Sequence, residues 1–397
     1  MLRFDRRLKV TDTETGRPAE NPDLRSVASY ELIILGAGPA GAAALLACQG
    51  AGVRIAVVDR AEFPRDKVCG DAIPGPGVKW LRNRAPDVHA DLFDLAEKSI
   101  VRRSSLTVDG GHTVGTDWQI ETFNAPREHF DAHLLALCRA RTAHDFYQQR
   151  AKRVTETEED VRVELADGQT LTARYLIAAD GANGVCARQL LQREVDYTHH
   201  CAAVRQYWTL PAGTDLHTNE FHLLRRYLPG YFWIFPVDAR TVNVGFGMRS
   251  HELRQRKGNL RRLLPEILAE TPHLRARFRD AQPLEQPVGF GLPLGTARAP
   301  LVTRRTLFTG DAGSLIDPLY GHGIDKAIIS GWLAAEHALR DDLPGYERTI
   351  YDRWTATFRT NARYRDWMTR FPRAVEWGTR LAAKPVVNQW LRNFVNA

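Results

Sequence analysis

The stretch Glu31 to Asp71, ELIILGAGPAGAAALLACQGAGVRIAVVDRAEFPRDKVCGD, decides the fold. It opens on an apolar run, Leu32 to Leu35, and passes through Gly36, Gly38 and Gly41 in G-x-G-x-x-G spacing. An Ala/Leu-rich segment then runs to Cys48, and a second apolar run, Val53 to Val58, is closed by Asp59. That order predicts strand, tight turn, helix and strand, with a carboxylate at the end of the second strand. In such a unit Gly36 permits the turn, Gly38 lets a pyrophosphate approach the backbone, and Gly41 lets helix and strand pack closely. Unpaired N–H groups at the helix start then face the anion. Asp59 follows the last glycine by 18 residues, close to the spacing of roughly 20 expected for a carboxylate on a ribose hydroxyl. The stretch reads as a dinucleotide site. Its uncharged run of 17 residues, Leu32 to Cys48, is too short and too broken by glycine and proline to span a bilayer.

With 397 residues the chain can hold a large core and two connected domains. The net charge of +7, from 54 basic and 47 acidic residues, is too modest for a nucleic-acid partner, and no nucleic-acid motif accompanies it. The excess is concentrated, however. Tyr346 to Ala397 carries ten Arg/Lys against four Asp/Glu, together with four Trp. Such a tail suits peripheral contact with an anionic membrane surface or an acidic carrier, or a helical cap with its Arg face in water. Five cysteines, Cys48, Cys69, Cys138, Cys186 and Cys201, lack paired spacing, which fits a reducing compartment. No C-x-x-C or His-rich cluster proposes a metal. Residues 1–29 are polar, contain Pro18 and Pro22 and lack an apolar core. They read as a flexible extension and not as a secretory signal, so the cytoplasm is the expected location.

Beyond Asp59 and Arg60, the stretch 61–81 contains Pro64, Pro74, Gly75, Pro76 and Gly77 and is expected as a loop, placing Cys69, Gly70 and Asp71 beside the bound nucleotide. Glu128 to Arg141 has apolar residues at helical spacing, and Arg127 at its start either meets a phosphate or cofactor ring or caps the helix in solvent. Asp167-Gly168 predicts a hairpin, and Tyr175 to Ala179 a buried strand ending in Asp180-Gly181. From Cys201 to about Gly291 the texture becomes strand-like and aromatic, with a helical insert at Leu253 to Glu270. Alternation puts Tyr231, Trp233 and Phe235 on one strand face, with Phe232 and Ile234 on the other. The three rings either pack on a helix or line an apolar pocket. Leu301 to Phe308 returns to strand and ends at Gly310-Asp311. Gly313, Pro318, Gly321 and Gly323 then form a loop where backbone presses on a planar ligand, ahead of a helix from Ile324.

Three separated signals now stand in order: GAGPAG with Asp59, the segment YLIAADGANG, and LFTGDAGSLIDPLYGHGI. Together they resemble the three FAD-binding signatures of the p-hydroxybenzoate hydroxylase-like flavoprotein superfamily. RDKVCGD at Arg65 to Asp71, PREHFD at Pro126 to Asp131 and GYFWIFP at Gly230 to Pro236 are similar to the geranylgeranyl reductase branch. The resemblance covers about Glu31 to Leu343. It implies an α/β fold, with a Rossmann-like (glutathione-reductase-type) FAD-binding domain made of 30–100, 127–200 and 292–345. An inserted, mainly antiparallel β substrate domain would comprise 101–126 and 201–291, followed by a C-terminal helical region, 346–397.

By the same resemblance Gly36, Gly38, Ala40 and Gly41 cradle the pyrophosphate of an extended FAD, and Asp59 and Arg60 meet the adenosine end. Arg127, Asp180, Gly310 and Asp311 contact the cofactor, and Gly321, Gly323 and Ile324 border the isoalloxazine. Cys69, with Gly70 and Asp71, lies beside the flavin, and Tyr231, Trp233 and Phe235 wall the substrate chamber. One departure is Gly184 after Asn183, where the family often has Ser.

Gly245-Phe246-Gly247 and Gly289-Phe290-Gly291 lack the third glycine and helix of a second nucleotide site, so NAD(P)H is expected as a transient reductant. The implied activity is flavin hydride transfer to a carbon–carbon double bond of a hydrophobic isoprenoid, polyketide or aromatic, with Cys69 as the candidate acid or positioning group. The alternative is a monooxygenase acting through a flavin hydroperoxide. A halogenase, or a membrane-surface flavin-binding module, is expected less.

Overall fold

The computed structural model describes residues 27–382; the earlier part of the expected extension, and Trp390 and Phe394, lie outside them. In chain order the first half comprises β1 (Val27–Leu35), α1 (Pro39–Ala47), β2 (Ile55–Asp59), α2 (Gly75–Arg84), α3 (Pro86–Leu92), β3 (Ser99–Val108), β4 (Thr113–Asn124), α4 (Arg127–Arg139), β5 (Asp145–Gln148), β6 (Ala151–Glu156), β7 (Val161–Leu165), β8 (Thr170–Ala178) and α5 (Val185–Leu190). The second half comprises β9 (His200–Thr209), β10 (Thr218–Leu223), β11 (Tyr231–Pro236), β12 (Thr241–Arg249), α6 (Ser250–Gln255), α7 (Leu260–Glu270), α8 (Pro272–Arg277), β13 (Val288–Pro293), β14 (Thr306–Phe308), α9 (Ile324–Leu339), α10 (Leu343–Arg370) and α11 (Pro372–Ala382).

The first sheet has the order β5-β2-β1-β8-β7-β6, with β14 also on β8. Its strands β5, β2, β1, β8 and β14 are mutually parallel. The two faces of β1 serve different cores, which is why its sequence reads as a continuous apolar run. Leu32 and Ile34 pack under α1, α4 and α9, whereas Ile33 and Leu35 pack with the β6-β7-β8 meander. Strand β1 starts at Val27, ahead of the expected boundary, because Val27 to Ser29 pair with Thr170 to Thr172.

The second sheet, β13-β9-β12-β11-β10-β3-β4, is antiparallel except for β10 on β3. Phe232, Ile234, Val244 and Phe246 pack there against Leu264, Ile267 and Leu268 of α7. Two local expectations need correction. The stretch 61–81 is not loop throughout, since α2 starts at Gly75 with Pro76 in its first turn, where a missing N–H costs nothing. The helical insert is broken into α6 and α7, because Lys257 turns with φ 50° and Gly258 follows it.

Helix α1 is clamped between strand and helix by two glycines. A Cβ on Gly41 would overlap the Gly36 carbonyl, and one on Gly331 of α9 would overlap the Ala40 carbonyl. Gly331→Val is therefore expected to lower stability by about 3 kcal/mol, read as a lower urea midpoint. Gly378→Ala is the contrast, because open space surrounds that position of α11. It should raise stability by about 0.5 kcal/mol through helix propensity alone.

Candidate flavin and substrate site

Because β1, β2, β8 and β14 are parallel, their carboxyl ends share one edge, where ligands of open α/β sheets bind. The chain turns there at Gly36 (φ 104°), after Asp59, at Asp180-Gly181 and at Gly310 (φ 49°). These corners are hydrogen-bonded to one another: Gly36 N donates to Val58 O (2.7 Å), Ala179 N to Leu35 O (2.8 Å) and Thr309 N to Ala178 O (3.0 Å). A Cβ at Gly36 would overlap the Ala179 carbonyl, so only glycine lets the two corners touch. Asp59 stabilises the same turn, its Oδ2 accepting from Ala37 N (2.7 Å) and its Oδ1 from Ala61 N (2.8 Å). Helix α1 starts at Gly38 with no side-chain cap, so its first N–H groups are left for an anion.

These corners open into a cavity of about 490 Å³ that continues between the two sheets. The residues expected to hold the cofactor or wall the chamber all line it except Gly41, which packs beneath it; Gly313 of the expected ligand-pressing loop does not line it and packs on Phe308 and Leu301. Asp180 lines the wall with its carboxylate turned onto α5, Oδ2 accepting from Cys186 N at 2.9 Å. Gly184 has no side chain because a Cβ there would overlap that carboxylate.

Arg127 is buried and does not cap its helix in solvent. Its guanidinium grips Asp131 with two hydrogen bonds of 2.6 and 2.7 Å, and Arg65 reaches the same carboxylate at 2.7 Å. Burial opposes its charge, but Asp131 holds it firmly protonated. The free Cys69 thiol is half-buried in the cavity wall.

The far wall is a face of the second sheet. Tyr231, Trp233 and Phe235 stand in a row on β11, opposite Gly247, Gly245 and Asn243 of β12. A side chain at Gly245 would overlap the Trp233 ring. Gly245 thus makes room for the Trp233 ring, and the Gly-Phe-Gly of β12 is strand and not a second nucleotide motif.

Sequence reasoning missed the polar lock behind this wall. Asp71 is fully buried with φ 65°. Its Oδ2 accepts from Tyr207 Oη (2.5 Å) and Asn243 Nδ2 (2.7 Å). Asn243 also donates to Cys69 O (2.8 Å) and accepts from Trp233 Nε1 (2.9 Å). One asparagine therefore ties the Cys69-Gly70-Asp71 loop to the aromatic wall. The available signal was a polar residue inside the apolar run TVNVGFGM.

Glycine corners, an anion-receiving helix start and an adjoining aromatic chamber define a flavoprotein oxidoreductase. The residues fit an extended FAD, since Gly36 and Gly38 keep side chains of their own off this corner, the start of α1 has no side-chain cap, and the Arg65 guanidinium lying against Gly38 is a cation suited to a pyrophosphate. An FAD binding domain family model matches residues 29–204. Menaquinone reductase of Mycobacterium tuberculosis is 30% identical over 329 residues, covering 78% of this chain and 76% of that protein. Digeranylgeranylglycerophospholipid reductase 1 of Methanopyrus kandleri is 29% identical over 344 residues, covering 83% and 87%. Among solved structures, a geranylgeranyl bacteriochlorophyll reductase-like protein of Thermoplasma acidophilum superposes with TM-score 0.75 at 21% identity, covering 87% of this chain and 88% of that one. The chain belongs to this family of FAD-dependent oxidoreductases.

Burial raises the Asp71 carboxyl to about 6, against the opposing pull of Tyr207 and Asn243. The folded protein thus holds this proton to higher pH than the unfolded chain, whose carboxyl titrates at about 3.9. Stability from this group is full below about pH 4 and is lost as pH rises through about 6. In urea unfolding with FAD present, the stability difference between wild type and Asp71→Asn should shift toward the variant by up to about 3 kcal/mol between pH 4 and 7.

Proposed function

We propose that this chain reduces a carbon–carbon double bond of a hydrophobic, isoprenoid-type molecule, using FAD that a nicotinamide nucleotide recharges transiently. The observation that carries this is the aromatic wall: Tyr231, Trp233 and Phe235 face the cavity that the glycine corners enter. An apolar polyene fits rings backed by glycines, and the similar reductases are named for isoprenoid-bearing substrates. In this reading 30–100, 127–200 and 292–345 hold FAD, and 101–126 with 201–291 form the chamber. When bound, FAD supplies the hydride. The protein's own part is to anchor the pyrophosphate at Gly36 and Gly38, orient the substrate on the ring wall and exclude water. Cys69, beside Arg127 and backed by Asn243, positions the substrate next to the flavin edge.

The test is anaerobic. Purified holoprotein is reduced with NADH, NADPH or dithionite, then mixed with menaquinone bearing an unsaturated side chain. Flavin reoxidation with loss of one side-chain double bond is expected without air. Strict dependence on oxygen, with oxygen incorporated in the product, would instead establish the monooxygenase. Cys69→Ser is expected to keep FAD and slow this reoxidation at least tenfold, a loss of about 1.4 kcal/mol in barrier terms.

The finer partner we infer is an anionic membrane surface. On α10 and α11, Trp367, Phe371, Trp377 and Leu381 are exposed, Trp377 by 67%, among exposed Arg363, Arg370, Arg373 and Arg380. Aromatic and aliphatic side chains fringed by arginine suit the headgroup boundary. No helix among the described residues is long and apolar enough to cross a membrane. Wild type should float with phosphatidylglycerol vesicles and less with phosphatidylcholine ones. Trp367→Ala/Trp377→Ala should lose most of that flotation while retaining bound FAD, and equal flotation of both proteins ends the membrane reading.

A further inference from the structure

The loop from Asp317 to Gly323 and the first turn of α9 together carry a charged cluster, His322, Asp325 and Lys326. His322 lines the main cavity between Gly321 and Gly323. Its Nδ1 lies 2.9 Å from Asp325 Oδ1, while Lys326 Nζ donates to Asp325 Oδ2 at 2.8 Å and lies 3.3 Å from the same imidazole nitrogen. Asp325 and Lys326 are buried, whereas the His322 side chain keeps 30% of its surface. The two oxygens of one buried carboxylate are thus divided between an imidazole and an ammonium.

This division fixes the proton chemistry of the ring. Burial would raise the Asp325 carboxyl, but His322 and Lys326 outweigh it and hold the group at about 2. Of the two groups at Nδ1 the carboxylate is the nearer, at 2.9 Å against 3.3 Å for the Lys326 ammonium, which already donates to Asp325 Oδ2, so acceptance from Nδ1–H by Asp325 sets the tautomer. It leaves Nε2, which has no hydrogen-bond partner among the described residues, as the nitrogen that gains or loses a proton at the cavity. Lys326 already balances Asp325, so protonating His322 takes the cluster from neutral to singly positive.

The ring is also held in place. Tyr320 stacks on it with centroids 5.8 Å apart, and the Tyr231 hydroxyl donates to Tyr320 O. Asp317 Oδ1 accepts from the N–H groups of Leu319 and Tyr320, and Asn361 of α10 donates to its Oδ2 at 2.8 Å. Arg365 of α10 donates to Pro318 O. Asp311 approaches the Gly323 side of the loop, and Gly77 of α2 packs on Asp325. The ionisable groups that these contacts bring to the loop are Asp325, Lys326, Asp311, Asp317, Arg365, Tyr320 and Tyr231, with Tyr364 acting on Tyr320.

We propose that His322 is the proton-exchanging residue of this cavity, charged when the cofactor is reduced and discharged onto the substrate, with Asp325 and Lys326 as positioning residues. The proposal rests on the FAD reading, which puts this loop beside the isoalloxazine. His322 takes one proton from water as two electrons and one further proton enter the cofactor, together as hydride from NAD(P)H or, with dithionite, as electrons from the reductant and a proton from water. Its positive charge then sits beside the negative charge of the reduced ring. On turnover hydride forms a C–H bond at one alkene carbon, and His322 Nε2 gives its proton to the other. The imidazole ends neutral and the cofactor oxidised.

The test counts protons and does not depend on turnover. The midpoint potential of the FAD-loaded protein is measured against pH near neutrality by dye-equilibrated reduction. Wild type should take up about two protons per two electrons, and His322→Gln, with FAD still bound, about one, which halves the slope. Asp325→Asn should fall between them. In wild type the His322 imidazole NMR resonance, assigned by its loss in the variant, should move to its protonated position on reduction by dithionite. A wild-type count of one proton, or an unchanged slope in His322→Gln, overturns the proposal. Should that variant lose its flavin, the wild-type count decides alone, with one proton overturning the proposal and two supporting it. Wild-type chain that binds no FAD overturns the FAD reading and this proposal with it, whereas bound FAD with a one-proton count overturns this proposal alone.

Discussion

Parallel pairing of β1 with β2 and β8, extended by β14 on β8, is the constraint on which the rest of the molecule depends. Parallel strands end on the same edge, so the pairing gathers corners that are far apart in sequence, Gly36, Asp59, Asp180 and Gly310, within backbone hydrogen-bond reach of one another. Neither an acid nor a glycine at any of these positions makes a site alone. Burial of both faces of β1 fixes the register that makes them coincide.

The second sheet needs its own attachment to that edge, and the Cys69-Gly70-Asp71 loop supplies it. The loop is stitched to the end of β4, with Ala125 N donating to Asp71 O at 3.0 Å and Ala72 bridging Asn124. From the other side it is held by Tyr207 of β9 and Asn243 of β12 through the Asp71 carboxylate. A buried acid with one oxygen, Oδ1, left without a partner among the described residues is costly. Its position at the junction accounts for that cost, because the same group aligns the Cys69 segment with the aromatic wall.

Much of this was legible in the sequence, for identifiable reasons. The glycine corners of β1, β8 and β14 could be read because each demands a residue type by backbone geometry and each stands at a strand end that hydropathy marks. The row of Tyr231, Trp233 and Phe235 followed from the two-residue period of a strand. What could not be read depends on partners distant in the chain. Asn243 and Tyr207 look like ordinary strand residues until β9 and β12 set them in register over Asp71. Arg127 could equally have been a solvated cap, since its partner Asp131 is a local helical neighbour and only the fold buries the pair and brings Arg65 to the same carboxylate. The start of α2 was hidden by a cluster of Pro and Gly that breaks most elements and in this case begins one.

The two glycines of β12 are not equivalent, and this bears on how the chamber can diversify. Gly245 is committed: the Trp233 ring occupies the space any side chain would need. At Gly247 an added methyl would meet Ala203, the Ala202 carbonyl and Trp233 only at 3.6 to 3.7 Å, which is ordinary contact. An alanine at residue 247 would therefore be accommodated without displacing the ring beside it, whereas the position two residues away is frozen.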